Sequence, residues 1–202
     1  VSMVCTDKTG TITKNELTVT KIVLGERIIN VSGSGYEPIG DFLEDGNIID
    51  LGKVENIDLI MKTAFLCNDA NLVKNKDGRW KIIGDPTEGA LIVAAKKYDE
   101  QEKYLSANEK KITENPFSSE RMRMSVVYAN ISYVKGSPDV ILDLCKFIKI
   151  NDKIIAMNSI WKEKLKDIYN SMSAQALRVL AFAYHNMKNI SPEKFGEESE
   201  KN

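Results

Sequence analysis

The sequence predicts an α+β domain, a mostly antiparallel β-sheet flanked by helices, and three observations lead there. Short apolar runs come in pairs around turn signals at Gly25-Glu26, Asp77-Gly78, Ala129-Asn130 and Asn151-Asp152, the spacing of hairpins. Between those pairs stand lone segments with helical periodicity or helix-start signals. The chain has 202 residues, 43% of them hydrophobic, and at that length about 70% of the unfolded surface can be buried. Hairpins separated by single helices imply an antiparallel sheet with helices packed on it.

The elements follow in order. Val1–Cys5 is a short apolar strand, and Thr6 to Asn15 a polar loop. Lys21–Leu24 and Arg27–Val31 form a hairpin, with Gly25 at the first central position of a type II′ turn. Ser32 to Gly52 reads as loop, broken by Gly33, Gly35, Gly40 and Gly46. Val54–Leu66 reads as a helix, because Ile57, Ile60, Met61, Ala64 and Phe65 share one face. Leu72–Lys74 and Arg79–Ile83 pair next. A helix then runs to Tyr98, with Asp85 as N-cap, Pro86 at N1 and Glu88 at N3 in a capping-box pattern. The mixed charges from Lys96 to Lys111 read as a solvated face. Met122–Tyr128 and Ile131–Lys135 are strands, and Ser137-Pro138 starts a short helix to Lys146. Phe147–Ile150 pairs with Lys153–Ala156. Ser159 caps a helix whose face is Ile160, Leu165, Ile168 and Met172, and Arg178–His185 is the last strand.

Composition excludes several classes. Net charge is −1, so there is no global positive field and no basis for nucleic-acid binding. Cys5, Cys67 and Cys145 are scattered without CxxC spacing, against a disulfide scaffold or a zinc site. The longest apolar runs are far short of the ~20 residues of a membrane span. A start at Val1, with no basic stretch and apolar run behind it, and a charged end from Glu193 predict a segment of a longer chain. His185 stands alone in a strand and reads as structural; Cys67, at a helix end, reads as packing rather than a reactive thiol.

The strongest chemical signal is Cys5-Thr6-Asp7-Lys8-Thr9-Gly10-Thr11. An apolar strand ends in a carboxylate, followed by a Gly/Thr loop whose N–H groups and hydroxyls can cradle phosphate. A carboxylate so placed can attack a phosphoryl group and carry it as an aspartyl phosphate. Asp7-Lys8-Thr9-Gly10-Thr11 resembles the phosphorylation motif of the P-type ATPases. Five further stretches resemble that family in the same order: Cys67-Asn68-Asp69-Ala70, Gly84-Asp85-Pro86-Thr87-Glu88, Pro116-Phe117-Ser118-Ser119-Glu120-Arg121, Lys135-Gly136-Ser137-Pro138, and Ala176-Leu177-Arg178-Val179-Leu180-Ala181. The pattern is most similar to the type II, calcium-pump group, and covers nearly the whole chain.

The resemblance implies a layout: residues 1–19 as the first strand and phosphorylation loop, 20–188 as the nucleotide-binding domain, and 189–202 as a linker back to the phosphorylation domain. It implies a cytoplasmic domain of an integral membrane protein. The partners would be ATP and the phosphorylation, actuator and membrane domains of the same pump. Asp7 would be the phosphorylated nucleophile, helped by Lys8 and Thr9, with Asp7 and Thr9 toward Mg²⁺. Phe117 would stack on adenine, and an aromatic face in a polar stretch suits a base. Glu88 would accept from the adenine amino group, though a capping box also accounts for it. Lys135 would lie deep in the pocket beside Gly136, with Arg121 and Met124 in the same nucleotide site and Arg178 near ribose and phosphates. Two departures stand out: Met122 where relatives carry lysine, and Ser119 where some carry arginine; both remove positive charge from the site. The isolated chain is expected to bind ATP without turnover. A soluble phosphatase of the haloacid-dehalogenase type is the alternative enzyme, but Thr9 stands where those place a second Asp. A non-catalytic nucleotide-binding module is the alternative outside catalysis.

Overall fold

Gly25 takes φ +64° and Leu24 pairs directly with Arg27, so the first hairpin closes as its sequence requires. The coordinates are a computed structural model and describe residues 16–99, 110–151, 153–188, 190, 191, 194 and 200. The readings at Val1–Cys5 and Thr6–Asn15, with Asp7, Lys8 and Thr9, lie outside those residues.

Strands β1 (Lys21–Leu24) and β2 (Arg27–Val31) continue into β3 (Phe42–Glu44) and β4 (Asn47–Ile48), a four-stranded antiparallel sheet. The sequence reads as loop-rich from Ser32 to Gly52, with no strand assigned to β3 or β4. Asp45-Gly46 between them has φ +49° and +81°, the two positive angles of a type I′ hairpin turn, so a signal was present. Alternating residues Ile22, Ile29, Val31 and Phe42 face a core shared with Val54, Ile57, Met61 and Ala95.

Helix α1 (Ile57–Leu66) starts three residues later than its periodicity predicts, because Asn56 is left-handed, at φ +65°. A two-stranded hairpin follows, β5 (Asn71–Lys74) and β6 (Trp80–Ile83). Helix α2 (Pro86–Tyr98) begins at the expected cap: the Asp85 carboxylate accepts from the N–H groups of Thr87 and Glu88, at 2.7 and 3.3 Å. Lys97 is not part of a solvated face. It is 5% exposed, and its ammonium donates to the Ser32 carbonyl at 2.7 Å between Gly33 and Gly40. Burial lowers its pKa.

The second sheet has the order β12-β9-β8-β7, all antiparallel, from β7 (Lys111–Ser118), β8 (Arg123–Tyr128), β9 (Ile131–Gly136) and β12 (Ala181–Asn186). Three corrections fall here. β7 was not read as a strand, because its run Lys-Ile-Thr-Glu-Asn-Pro-Phe-Ser is polar and Pro116 interrupts it. It is an edge strand, where proline is tolerated. Met122 lies outside β8 in a turn, at φ +50°. Arg178 does not open the last strand, which starts at Ala181.

Helix α3 (Pro138–Leu144) follows Ser137, whose hydroxyl makes no capping bond. The hairpin β10 (Phe147–Ile150) and β11 (Lys153–Ala156) leads to α4 (Ser159–Ala174). Asn158, not Ser159, caps α4, accepting from the Trp161 N–H at 2.9 Å. Of the face expected on α4 only Met172 is buried; Ile160 is exposed. Antiparallel sheets with four helices make this an α+β fold. Among the described residues no helix is long and apolar enough to cross a membrane.

Candidate functional site

The C-terminus of α1, the N-terminus of α2 and the middle of the second sheet meet at Asn68. Its side-chain amide donates to the carbonyls of Ala64, at 3.1 Å, and Glu88, at 2.9 Å. Its oxygen accepts from the Ala70 N–H at 2.9 Å, an Asx turn that takes the chain out of α1. Gly84 completes the junction. Its φ is +122°, and a Cβ there would stand 2.9 Å from Ala70 Cα, so the two segments approach closer than any side chain permits.

Cys67 anchors this junction to the sheet. It is fully buried, and its thiol donates to the Met124 carbonyl at 3.4 Å. Burial pushes the thiol up to about 12, which keeps it unreactive, as the sequence suggested.

Glu88 projects from the first turn of α2, yet its carboxylate does not serve a capping box. One oxygen accepts from the Asp69 N–H at 3.2 Å, and the other from the Lys135 ammonium at 2.5 Å. Both side chains are largely covered, Lys135 at 7% and Glu88 at 16% exposure. A lysine so enclosed needs a charged partner. Asp69 lies alongside with its carboxyl pKa raised, first by burial and then by the negative charges of Glu114 and Glu88. On the other side, burial alone would raise Asp85. Hydrogen bonds from Thr87 and Glu88, and the positive charge of Arg178, outweigh it and hold the carboxyl below its ordinary range. Exposed Arg178 therefore sits at the same end of α2.

Phe117 reaches this site through a bulge. Asn115 pairs with Ser125 and Ser118 with Arg123, so Pro116 and Phe117 together oppose Met124. Met124 in turn pairs with Lys135. Phe117, Met124 and Lys135 thus form one row across three strands, spanning about 10 Å at ordinary strand spacing. Phe117 is 58% exposed, an unusual state for a phenyl ring.

The remaining candidates are placed differently. Met124 is 1% exposed and packs with Leu66, Cys67, Val126 and Tyr133, so it forms the floor rather than a contact surface. A Cβ on Gly136 would meet the Met122 carbonyl at 2.6 Å, so the glycine is needed to bring β9 against the turn before β8. Arg121 points away from Lys135, into an ion pair with Glu200 at 2.9 Å. Asn68, Asp69 and Glu200 have no role in the sequence reading: the first two lie in the Cys67-Asn68-Asp69-Ala70 motif, and nothing local marks Glu200.

A cavity of about 800 Å³ lies beside this row, walled mainly by β1, α1, α2, α4 and the 176–186 run that includes β12, with Arg178 and Thr87 on its lining. It is lined mostly by apolar side chains, and none of Phe117, Glu88 and Lys135 borders it. The polar row on the sheet is the better site, since it alone combines an open aromatic face with buried charges. Among the described residues no group of three or more His, Cys, Asp or Glu is arranged to hold a metal ion.

Residues 56–202 match the family model for the P-type ATPase cytoplasmic domain N. The chain is 34% identical to a calcium-transporting ATPase of Bacillus subtilis over 93% of its length, and 35% identical to the cation-transporting ATPase pma1 of Synechocystis over 90%. It is 31% identical to a calcium-transporting ATPase type 2C member 1 of Bos taurus, again over 90%. It spans about a fifth of these relatives: 22%, 21% and 19% of their lengths. The chain belongs to the cytoplasmic domain N family of the P-type ATPases.

Proposed function

We propose that the row Phe117–Met124–Lys135, with Glu88 and Arg178 at its end, binds ATP. In this reading the adenine stacks on Phe117 and its amino group donates to Glu88. Lys135 turns from Glu88 to the nucleotide, and Arg178 meets ribose or phosphate. The observation that carries the reading is the pairing of a half-exposed phenyl ring with a covered Lys135–Glu88 pair in one register across β7, β8 and β9. An aromatic ring left open to water at the edge of a charged cleft suits a planar, polar-edged ligand.

Within the complete pump, this site would present the γ-phosphate to Asp7, and phosphorylation of Asp7 would drive transport of a cation, calcium by similarity to the named relatives. The carboxylate would attack phosphorus while ADP leaves. Residues 1–19 would belong to the phosphorylation domain, 20–188 to the nucleotide-binding domain and 189–202 to the linker between them. Mg²⁺ would neutralise phosphate charge in that step. Its expected protein partners, Asp7 and Thr9, lie outside the described residues, and Glu88 pairs with the ammonium of Lys135 instead. The domain would face the cytoplasm, with the actuator and membrane domains as partners in the same chain.

Calorimetric titration with ATP tests the site. Phe117→Ala should weaken binding by about 1–3 kcal/mol, the worth of one base stack. Its thermal midpoint should stay close to that of the parent chain, because the ring is exposed. Unchanged affinity would remove Phe117 from the site and the reading with it.

A further inference from the structure

The far face of the second sheet carries a second charged cluster that nucleotide contact does not explain. At its centre is Glu200, whose side chain is fully covered. One carboxylate gathers four groups from β7, β8 and the turn between them. Arg123 Nε donates to it at 2.6 Å and Arg121 Nη1 at 2.9 Å, the Ser125 hydroxyl donates to it, and Asn115 Nδ2 reaches it at 3.4 Å. Burial by itself would raise the Glu200 pKa, but the bonds from Ser125 and Arg123 and the charges of both arginines bring it below the ordinary range.

The cluster does more than attach a distant residue. Arg121 uses its other terminal nitrogen to donate to the Pro116 carbonyl. Its backbone N–H bonds the Ser118 hydroxyl at 3.1 Å. Pro116 and Ser118 flank Phe117, and they bound the bulge that sets the ring's direction. That bulge lies on an edge strand, and among the described residues no strand pairs with its outer side to fix it. The chain of contacts therefore runs from Glu200 through Arg121 to the peptide that carries the ring. Asn115, bonded to Ser125 at 3.2 Å, holds the other side of the bulge.

We propose that Glu200 is a positioning residue for nucleotide binding: by clamping Arg121 and Arg123 it holds the Pro116–Phe117 bulge in the orientation that stacks a base. This rests on the reading of Phe117 as the adenine platform. Glu200 lies beyond β12 in sequence, 83 positions after Phe117, counting 200 − 117. The affinity of the site thereby depends on Glu200 holding its place between the two arginines.

The test is a double-mutant cycle on the 202-residue chain, titrated with ATP and, separately, with tripolyphosphate, which lacks the base. Glu200→Ala should weaken ATP about three- to tenfold and leave tripolyphosphate unchanged. In the Phe117→Ala background the same substitution should change ATP affinity less than twofold, because the ring it positions is gone. Glu200→Gln keeps an acceptor oxygen but loses the charge. It should give a smaller ATP loss with the same dependence on Phe117, and it carries the cycle if Glu200→Ala fails to fold. Equal losses of ATP with and without the Phe117 ring, or an equal loss of tripolyphosphate, would overturn the positioning role. Failure of the nucleotide reading would instead show as no effect of Phe117→Ala alone.

Discussion

Glu88 and Lys135 are unequal partners, and the inequality predicts how each responds to substitution. If Glu88 is truncated, Lys135 keeps its charge at 7% exposure and loses the carboxylate that holds it. If Lys135 is removed, Glu88 still accepts the Asp69 N–H and is the more exposed of the two. Glu88→Ala should therefore cost about 3 kcal/mol, the lower end for breaking a buried pair, and Lys135→Met clearly less. Chemical denaturation of both variants and of the double variant checks this; the double variant should recover part of the Glu88→Ala loss. Met122 is the second residue to settle. It stands in a left-handed turn with its side chain 44% exposed, and its carbonyl accepts from the Ser137 N–H at 2.9 Å. The fold uses its backbone, so the side chain is free to change. Met122→Lys should leave the thermal midpoint nearly unchanged. It should tighten ATP at low salt by about tenfold or more if the new ammonium meets phosphate, and the gain should fade as salt rises. Equal affinity at low salt would place residue 122 outside the site.

Among the elements, those whose sequence carries its own instruction were legible, and those fixed by neighbours were not. Asp85-Pro86 and Gly25-Glu26 encode a cap and a turn, and both form as read. β7 lacks alternation and carries only Ile112 and Phe117 as large apolar residues, and exists because β8 offers it a ladder; Pro116 then sits where the bulge leaves its missing N–H harmless. The start of α1 was misjudged because the apolar period runs on through Val54, while Asn56 breaks the backbone in a way no period reveals. The candidate site followed the same rule. Phe117, Glu88 and Lys135 were identified from motifs, but their common row needs the registers of three strands, and Glu200 needs the tertiary fold. Gly84 belongs at this scale too, since it joins β6 to α2 against Ala70. Gly84→Ala would place a methyl 2.9 Å from Ala70 Cα at φ +122°, against backbone that cannot yield. The expected loss is about 1–3 kcal/mol of stability from backbone strain alone. Urea denaturation should show it, together with weakened ATP binding through displacement of Glu88. A stable variant with full affinity would mean that the Asn68 junction does not position the site.

At the scale of the molecule, two sheets do different work. The first, β1 to β4, packs its apolar side against α1 and α2 and supplies the core around Ile29 and Ile57. The second holds the row of candidate nucleotide contacts on one face and the Glu200 cluster on the other. α2 links them: its body is buried against α1, the β5–β6 hairpin and, through Ala95, the first-sheet core, and its first turn delivers Glu88 to the second. The cavity behind α2 is mostly apolar and shares Arg178 with the candidate site, whereas the row on the second sheet offers an open aromatic face beside a covered ion pair. The central claim is that the nucleotide takes the row. Backbone amide shifts of the isotopically labelled chain on titration with ATP decide between the two locations. The account predicts the largest shifts at Asp69, Glu88, Phe117, Lys135 and Gly136, with Leu24, Leu91 and Leu165 of the cavity wall unmoved. Shifts concentrated on the cavity wall, or none at millimolar ATP, would contradict it.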